Sequence, residues 1–276
     1  MASIDMFQIN GTAKTIDEVL MRLDRIVQHS IDTGSRIGYF AAMYRTVTAR
    51  MKAEIEAGRF EDNPRMERLD VCFANRFLDA YAAYMSGGRC SHCWRIAFDA
   101  AEQSKPLILQ HLLLGMNAHI NYDLGIAAAD ICEGDTIHSL YHDFNSINDI
   151  LVSMIDEVKH DLDTLSPWIS WLDEQDGRAA DTIIHFSMNK ARSCAWEFAQ
   201  QLAAADGQRK LELMARKGMD AALLGQEVLR PPGMIFKAIL WLVRLRESDD
   251  VVRNIIQLFD STKALNGPHH DGTISL

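Results

Sequence analysis

The sequence predicts an all-α protein, a single-domain bundle of about ten helices around one buried central helix at about 104–133. Three observations lead there. The 276 residues are 48% hydrophobic and 24% charged, enough apolar material for a sizeable core and too ordered a composition for a disordered or collagen-like chain. The chain has only 6 Pro and 16 Gly, too little punctuation for the many turns of an all-β protein. Helix start and stop signals follow one another from end to end. There is no strand-like alternation and no repeat of fixed period that would make a solenoid.

The elements follow in order. Thr15-x-x-Glu18 is a capping box that opens a first helix, to about Ser30. A second runs from about Arg36 to Ala57 and stops at Gly58. Asn63 and Pro64 supply an N-cap and a first-turn proline for a third, which ends before Gly87-Gly88. A short helix from about Ser91 to Gln103 leads into the long central one, which begins around Ser104-Lys105-Pro106 and runs to Gly134. Another extends from Asp135 to about Leu165, and Pro167 starts a brief segment. Helices then follow at about 178–205, 208–229, 233–247 and 249–264, with Pro231-Pro232 breaking the chain between the second and third of these. No Pro-, Gly- or Ser-rich linker divides the chain, so residues 1–276 read as one domain, with a core of about 15–264 and a frayed tail at 265–276.

Charge and cysteine usage narrow the function classes. Lys+Arg at 28 against Asp+Glu at 38 gives a formal charge of −10, with no basic cluster, which tells against nucleic acid as a partner. Residues Met1 to Asn10 lack the basic and apolar regions of a signal peptide, and the 5 cysteines are odd in number and thinly spread. Both point to a cytoplasmic protein with reduced thiols. Met234 to Leu245 is too short for a membrane span and carries Lys237 and Arg244; it reads as a buried or interfacial helix and a candidate homodimer surface. Cys90-Ser-His-Cys93 lacks the second ligand pair of a structural zinc site and the βαβ context of a redox motif, and reads as accidental spacing.

The chemistry is concentrated in the central helix. It is apolar nearly all round, yet His111, Asn117, His119, Asn121 and Asp123 sit in it. Burying such groups without partners costs roughly 2–7 kcal/mol each. Residues four apart stay within about 40° of one another, so His111, Gly115, His119 and Asp123 form one stripe. Gly115 leaves a gap where a ligand, a metal or another backbone can approach. Asn117 and Asn121 face the other way. On the next helix Asp143 projects into the apolar sector and is a buried-acid candidate, with Asn148 bordering that sector. His138 and His142 lie on its polar face and read as a solvated stripe. Arg76 sits amid Leu69, Phe73, Phe77, Ala80 and Tyr84 and needs a carboxylate, either Asp79, Asp123, Asp143 or one from a ligand. Arg192, beside Ala195, Trp196 and Ala199, is a weaker case of the same kind. The bland account of all these groups is a hydrogen-bonded network that only fixes helix packing.

The run from His111 through Leu114-Gly115-Met116-Asn117-Ala118-His119-Ile120-Asn121-Tyr122-Asp123-Leu124 carries a resemblance. Together with Leu69 to Ala80 upstream and Asp143-Phe144 to Ile147-Asn148 downstream, it resembles a bacterial family of uncharacterised proteins over roughly residues 15–260. That resemblance brings no established activity. More loosely, Leu114-Gly115-x-x-x-His119-x-x-x-Asp123 is similar to the His-x-x-x-Asp helix of zinc-dependent phospholipases C and P1-type nucleases. Ala129 stands where a later histidine ligand of those enzymes would fall, and their N-terminal tryptophan has no counterpart.

Three functions fit these residues. The first is an enzyme in which His119, Asp123, His111 and Asp143 hold zinc, manganese or iron, and bound water hydrolyses an ester or phosphoester of a small apolar or lipid-like molecule. The second is metal-free acid/base catalysis, an isomerase or cyclase, by His119 with Asp123 or Asp143. There Arg76 binds the carboxylate of an apolar or polyketide-like substrate, and Asn117, Asn121, Asn148 and Arg192 line the site. The third is a helical binding protein whose polar network is structural.

Overall fold

The computed structural model describes residues 11–151, 179–231 and 241–264, and these are helical with no strand among them. Helix α1 (Ile16–Thr33) opens as its sequence predicts: the Thr15 hydroxyl accepts the Glu18 N–H. The reciprocal bond differs by one residue, because the Glu18 carboxylate accepts from the Lys14 N–H at 2.8 Å. Gly34 closes the helix in the left-handed region, at φ 64°, where a side chain would be strained. Helix α2 (Ile37–Glu56) returns along α1 and stops before Gly58, at φ 71°.

Helix α3 (Asn63–Met85) begins one residue earlier than expected. Asp62 is the N-cap, its carboxylate accepting the Arg65 N–H, while Asn63 folds its amide back onto the Phe60 backbone. Pro64 needs no N–H donor in this first turn, so the shift costs nothing. Helix α4 (His92–Ala101) is capped by Ser91.

The central helix comes in three parts. Helix α5 (Ile108–Met116) starts after Pro106, with Gln110 accepting from the Leu107 N–H and the buried Glu247 carboxylate accepting from the Ile108 N–H at 3.1–3.2 Å. A carboxylate at this position satisfies an orphan donor and complements the helix dipole. The expected continuous α-helix is then interrupted by a π-helical turn (Asn117–Asp123) before α6 (Leu124–Ile131). Asn117, His119, Asn121 and Asp123 lie in this widened turn, and His111 precedes it in α5. Such insertions are held by their surroundings and recur at functional sites. A 3₁₀ segment (Gly134–Leu140) replaces the start of the helix expected from Asp135, and helical residues 141–151, here α7, follow.

Helices α8 (Ala179–Ala203), α9 (Gly207–Leu229) and α10 (Val251–Ala264) complete the described chain. Helix α8 packs along α6, α9 on α4 and the π turn, and α10 on α2 and α1. No described helix is long and apolar enough to cross a membrane. The brief segment at Pro167, the helix end near Leu165, residues 234–240 of the candidate dimer helix and the tail from 265 lie outside the described residues.

Buried apolar residues form two main clusters. One gathers Phe40, Phe77, Trp94 and Phe98; the other gathers Met66, Leu69, Leu124, Phe144 and Trp196. Glycine lets helices approach at two points of the central helix. A Cβ at Gly115 would sit 2.3 Å from the Phe40 ring, so the gap in the polar stripe is filled by α2 rather than by a ligand or metal. A Cβ at Gly125 would meet Phe198 at 2.6 Å and the Ala195 carbonyl at 2.8 Å, a backbone atom that cannot swing aside. Gly125→Ala is expected to lower the stability by about 1–3 kcal/mol through overpacking of α6 against α8, read as a lower urea midpoint with unchanged m-value. An unchanged midpoint would contradict this packing.

Candidate functional site

The site lies at the π turn, between the two apolar clusters. Asp123 is 1% exposed and carries three contacts. Its Oδ1 accepts from Arg76 Nε at 3.0 Å, its Oδ2 accepts from Trp94 Nε1 at 2.7 Å, and His119 Nδ1 lies 3.5 Å from Oδ2. The sequence-level demand of Arg76 for a carboxylate is thus met by Asp123. Burial opposes the charge on Arg76, but the adjacent carboxylate outweighs it and raises the guanidinium pKa above its ordinary value.

His119 is clamped by aromatic rings. It stacks on Phe73 with centroids 3.5 Å apart and planes 8° apart, and Tyr44 meets it edge-on at 4.4 Å. Both its ring nitrogens are buried without a hydrogen-bond partner, since 3.5 Å to Asp123 is long for one. Burial pushes its pKa down; Asp123 only partly offsets this, so the ring is neutral near pH 7.

His119 borders a cavity of about 180 Å³ whose wall is almost wholly apolar, drawn from α2, α3, the central helix, α7 and α8, and including Met51, Met66, Leu69, Ile120 and Ile147. By the same kind of measure roughly 10–15 Å³ holds one water. The polar side chains on the wall are Tyr44, Asp70, His119 and Arg192. The Asp70 carboxyl is buried with Oδ2 unpartnered, and desolvation, aided by nearby Glu67, raises its pKa to about 7. The Tyr44 hydroxyl is buried without a formed hydrogen bond, its pKa raised mainly by desolvation. Arg192 is 4% exposed, donating from Nε to Asn148 Oδ1 and from Nη2 to the Phe144 carbonyl, with its guanidinium 4.6 Å above the Phe144 ring.

The other expected site residues lie elsewhere. Asp143 is fully buried, as its helical position implied, but it serves the loop between α2 and α3: it accepts from the Glu61 and Asp62 N–H groups at 2.8 and 3.1 Å and pairs with Arg65 at 3.0 Å. His111 is buried beside Tyr39, 5.8 Å between centroids, with both nitrogens unpartnered and its pKa pushed down to about 4 by burial. Eight residues of helix carry it about 12 Å along the axis from His119, so sharing a stripe does not bring the two imidazoles to one ion. Asn121 donates to Asn117, and Asn117 donates to the Ala221 carbonyl at 2.7 Å, so this pair ties the π turn to α9.

The four expected metal ligands therefore do not converge. Among the described residues the one group of three His, Cys, Asp or Glu with ligand atoms within 4.8 Å of one another is Glu61, His142 and Asp143, where Arg65 and two backbone N–H groups already occupy the Asp143 carboxylate. Cys90 and Cys93 are free thiols, with Cys93 buried and its pKa raised to about 12 by desolvation.

Asp70 and Tyr44 are the site residues that sequence reasoning missed. Tyr44 belongs to the stripe Phe40, Tyr44, Val47, Met51, where an aromatic reads as core. Asp70 falls only about 60° from Phe73 on the α3 wheel, and a stripe drawn wide enough to include both would have caught it.

Fold and site together define an all-α protein with a buried carboxylate–imidazole pair at the edge of an apolar cavity. The chain belongs to a family of unknown function (DUF5995), whose sequence profile matches residues 16–231. No curated protein and no solved structure matches it. An uncharacterised family was what the resemblance implied; the likeness to phospholipases C and P1-type nucleases gains no support from these matches.

Proposed function

We propose that the protein is a metal-free acid/base enzyme that takes an apolar substrate into the cavity, with His119 as general base and Asp70 as general acid. The observation that carries this reading is a buried imidazole 3.5 Å from a buried carboxylate, on the wall of an otherwise apolar cavity. With the ring proton on Nδ1, the nitrogen 3.5 Å from Asp123, the Nε2 lone pair is left to accept a proton; imidazolium formation would tighten that contact into a charged hydrogen bond. Asp123 itself is held by Arg76 and Trp94, which makes it a positioning residue.

Asp70 supplies the opposite capacity. A carboxylic acid whose pKa is raised to about 7 keeps a substantial protonated fraction at neutral pH and can donate where a carboxylate in water would not. A neutral base and a neutral acid on one apolar wall suit proton transfer between two positions of a substrate, as in isomerisation or cyclisation. The apolar lining supports a lipid-like or polyketide-like substrate. Metal-dependent hydrolysis is the weaker reading because both Asp123 oxygens already accept strong donors and, among the described residues, no third ligand joins His119.

The test compares wild type with His119→Gln in a complex mixture of small apolar metabolites, following by mass spectrometry which compounds are consumed and formed. Conversion by wild type that persists in excess chelator and falls by about 10²-fold or more in a folded His119→Gln variant is expected. Chelator-sensitive turnover, or equal turnover by the variant, would overturn the reading. Binding without conversion would make the protein a carrier of the same ligand class.

A further inference from the structure

A guanidinium removed from water requires a counter-charge or a full set of acceptors. The buried ends of Arg65 and Arg76 each meet a carboxylate, Asp143 and Asp123 respectively. Arg192 does not. It is more deeply buried than either, and among the described residues its partners are two neutral oxygens, the Asn148 amide and the Phe144 carbonyl, with no acid in salt-bridge range and no hydrogen-bond partner on Nη1. Burial lowers its pKa only to about 10, so it is charged at neutral pH. It also lines the cavity.

We infer that Arg192 is the headgroup anchor of this cavity and that the ligand is a single-chain amphiphile with one carboxylate, a fatty-acid-like monoanion whose tail runs along Met51, Met66, Leu69 and Ile147. The inference rests on the proposal that the cavity is a ligand site and names the substrate class, but it does not depend on the chemistry of His119. One positive charge in an apolar pocket is matched by one negative charge; a phosphate monoester would bring a second, and Arg192 is the one arginine or lysine on the described wall. Asn148 and Phe144 hold the guanidinium by Nε and Nη2, which fixes its plane and leaves Nη1 for a ligand oxygen. Arg76, the residue whose position suggested such a role in the sequence, is already neutralised by Asp123.

The test is calorimetric binding to the full chain, near neutral pH, of four probes with the same ten-carbon tail: decanoate, decan-1-ol, decyl phosphate and decyltrimethylammonium. Decanoate is expected to bind about tenfold or more tightly than decanol, with the ammonium weakest. In Arg192→Met the advantage of decanoate over decanol is expected to disappear while decanol affinity is kept. If that variant fails to fold, the comparison in wild type decides alone. His119→Gln is expected to keep the preference for decanoate, which separates failure of the anchor from failure of the acid/base reading. Equal affinity for decanoate and decanol, tighter binding of decyl phosphate, retention of the preference in folded Arg192→Met, or no binding of any probe would each overturn the inference.

Discussion

Asp123→Ala is expected to cost about 3–5 kcal/mol of unfolding free energy. The substitution strands two donors at once. Arg76 keeps a guanidinium in a site whose charge was balanced by Asp123, and the Trp94 indole N–H, 2.7 Å from the carboxylate, is left buried with no acceptor. Breaking a buried pair by removing one partner costs more than the pair itself contributes, because the remaining ion is desolvated and uncompensated. Asp123→Asn keeps an acceptor for one donor and should lose less. Urea unfolding followed by circular dichroism measures both. Equal midpoints for wild type and Asp123→Ala would mean that the three-sided arrangement around this carboxylate contributes nothing to the fold.

Asp70→Asn is expected to act in the opposite direction and to depend on pH. The folded state holds the Asp70 proton up to about pH 7, whereas an exposed aspartate ordinarily gives it up near 3.8. Between those values the native state binds more protons than the unfolded state, so this group makes wild-type stability fall as pH rises, with the full loss reached above about pH 7. Asparagine has the same shape and nothing to ionise. The variant should match wild type at the acid end of the window and exceed it by on the order of 2–4 kcal/mol at the alkaline end. His111 and His119, whose lowered pKa values make both proteins less stable in acid, are common to the pair and cancel in the difference. A stability gap that stays constant between pH 5 and 8 would show that Asp70 ionises normally in the fold. The same substitution removes the proposed general acid, so a more stable protein with poorer turnover is the expected combination, a trade common at catalytic sites.

The parts of the fold that rest on local chemistry were legible. Thr15, Gly58 and Ser91 delimit helices as their side chains or lack of them require, whereas the left-handed Gly34 that carries the first helix to Thr33, past the expected end near Ser30, was not singled out. Burial was legible too: Asp123, His119 and Asp143 sit on apolar helical positions and are buried. Partnership was not. An arginine on an apolar face announces that it needs an acid, but periodicity within one helix cannot say which other helix brings it. Asp143, which looked equivalent to Asp123, turned out to hold a loop. The metal set failed for a simpler reason, since a stripe fixes direction around a helix and not distance along it, and His111 and His119 share the first without the second.

The π turn was also invisible. In it Asn117, braced by Asn121, meets α9 at the Ala221 carbonyl and beside Gly225, where a Cβ would lie 3.3 Å from the Asn117 amide, and a pattern within one helix does not show such contacts. The cavity was hidden in the same way. Its wall comes from five helices, each of which reads as ordinary core, and only their assembly leaves a space between two clusters instead of one continuous interior.

The central claim is that His119 is a neutral base, with its proton on Nδ1 toward Asp123 and its Nε2 lone pair available. Nitrogen NMR of the uniformly labelled protein across pH 5–8, with the His119 signals identified by their loss in His119→Gln, measures this most directly. The account predicts that Nε2 shows the shift of an unprotonated ring nitrogen at pH 7 and that the ring gains its second proton only below the ordinary histidine value of 6.5. A His119 ring that titrates at or above 6.5, or one that carries its single proton on Nε2, would contradict it.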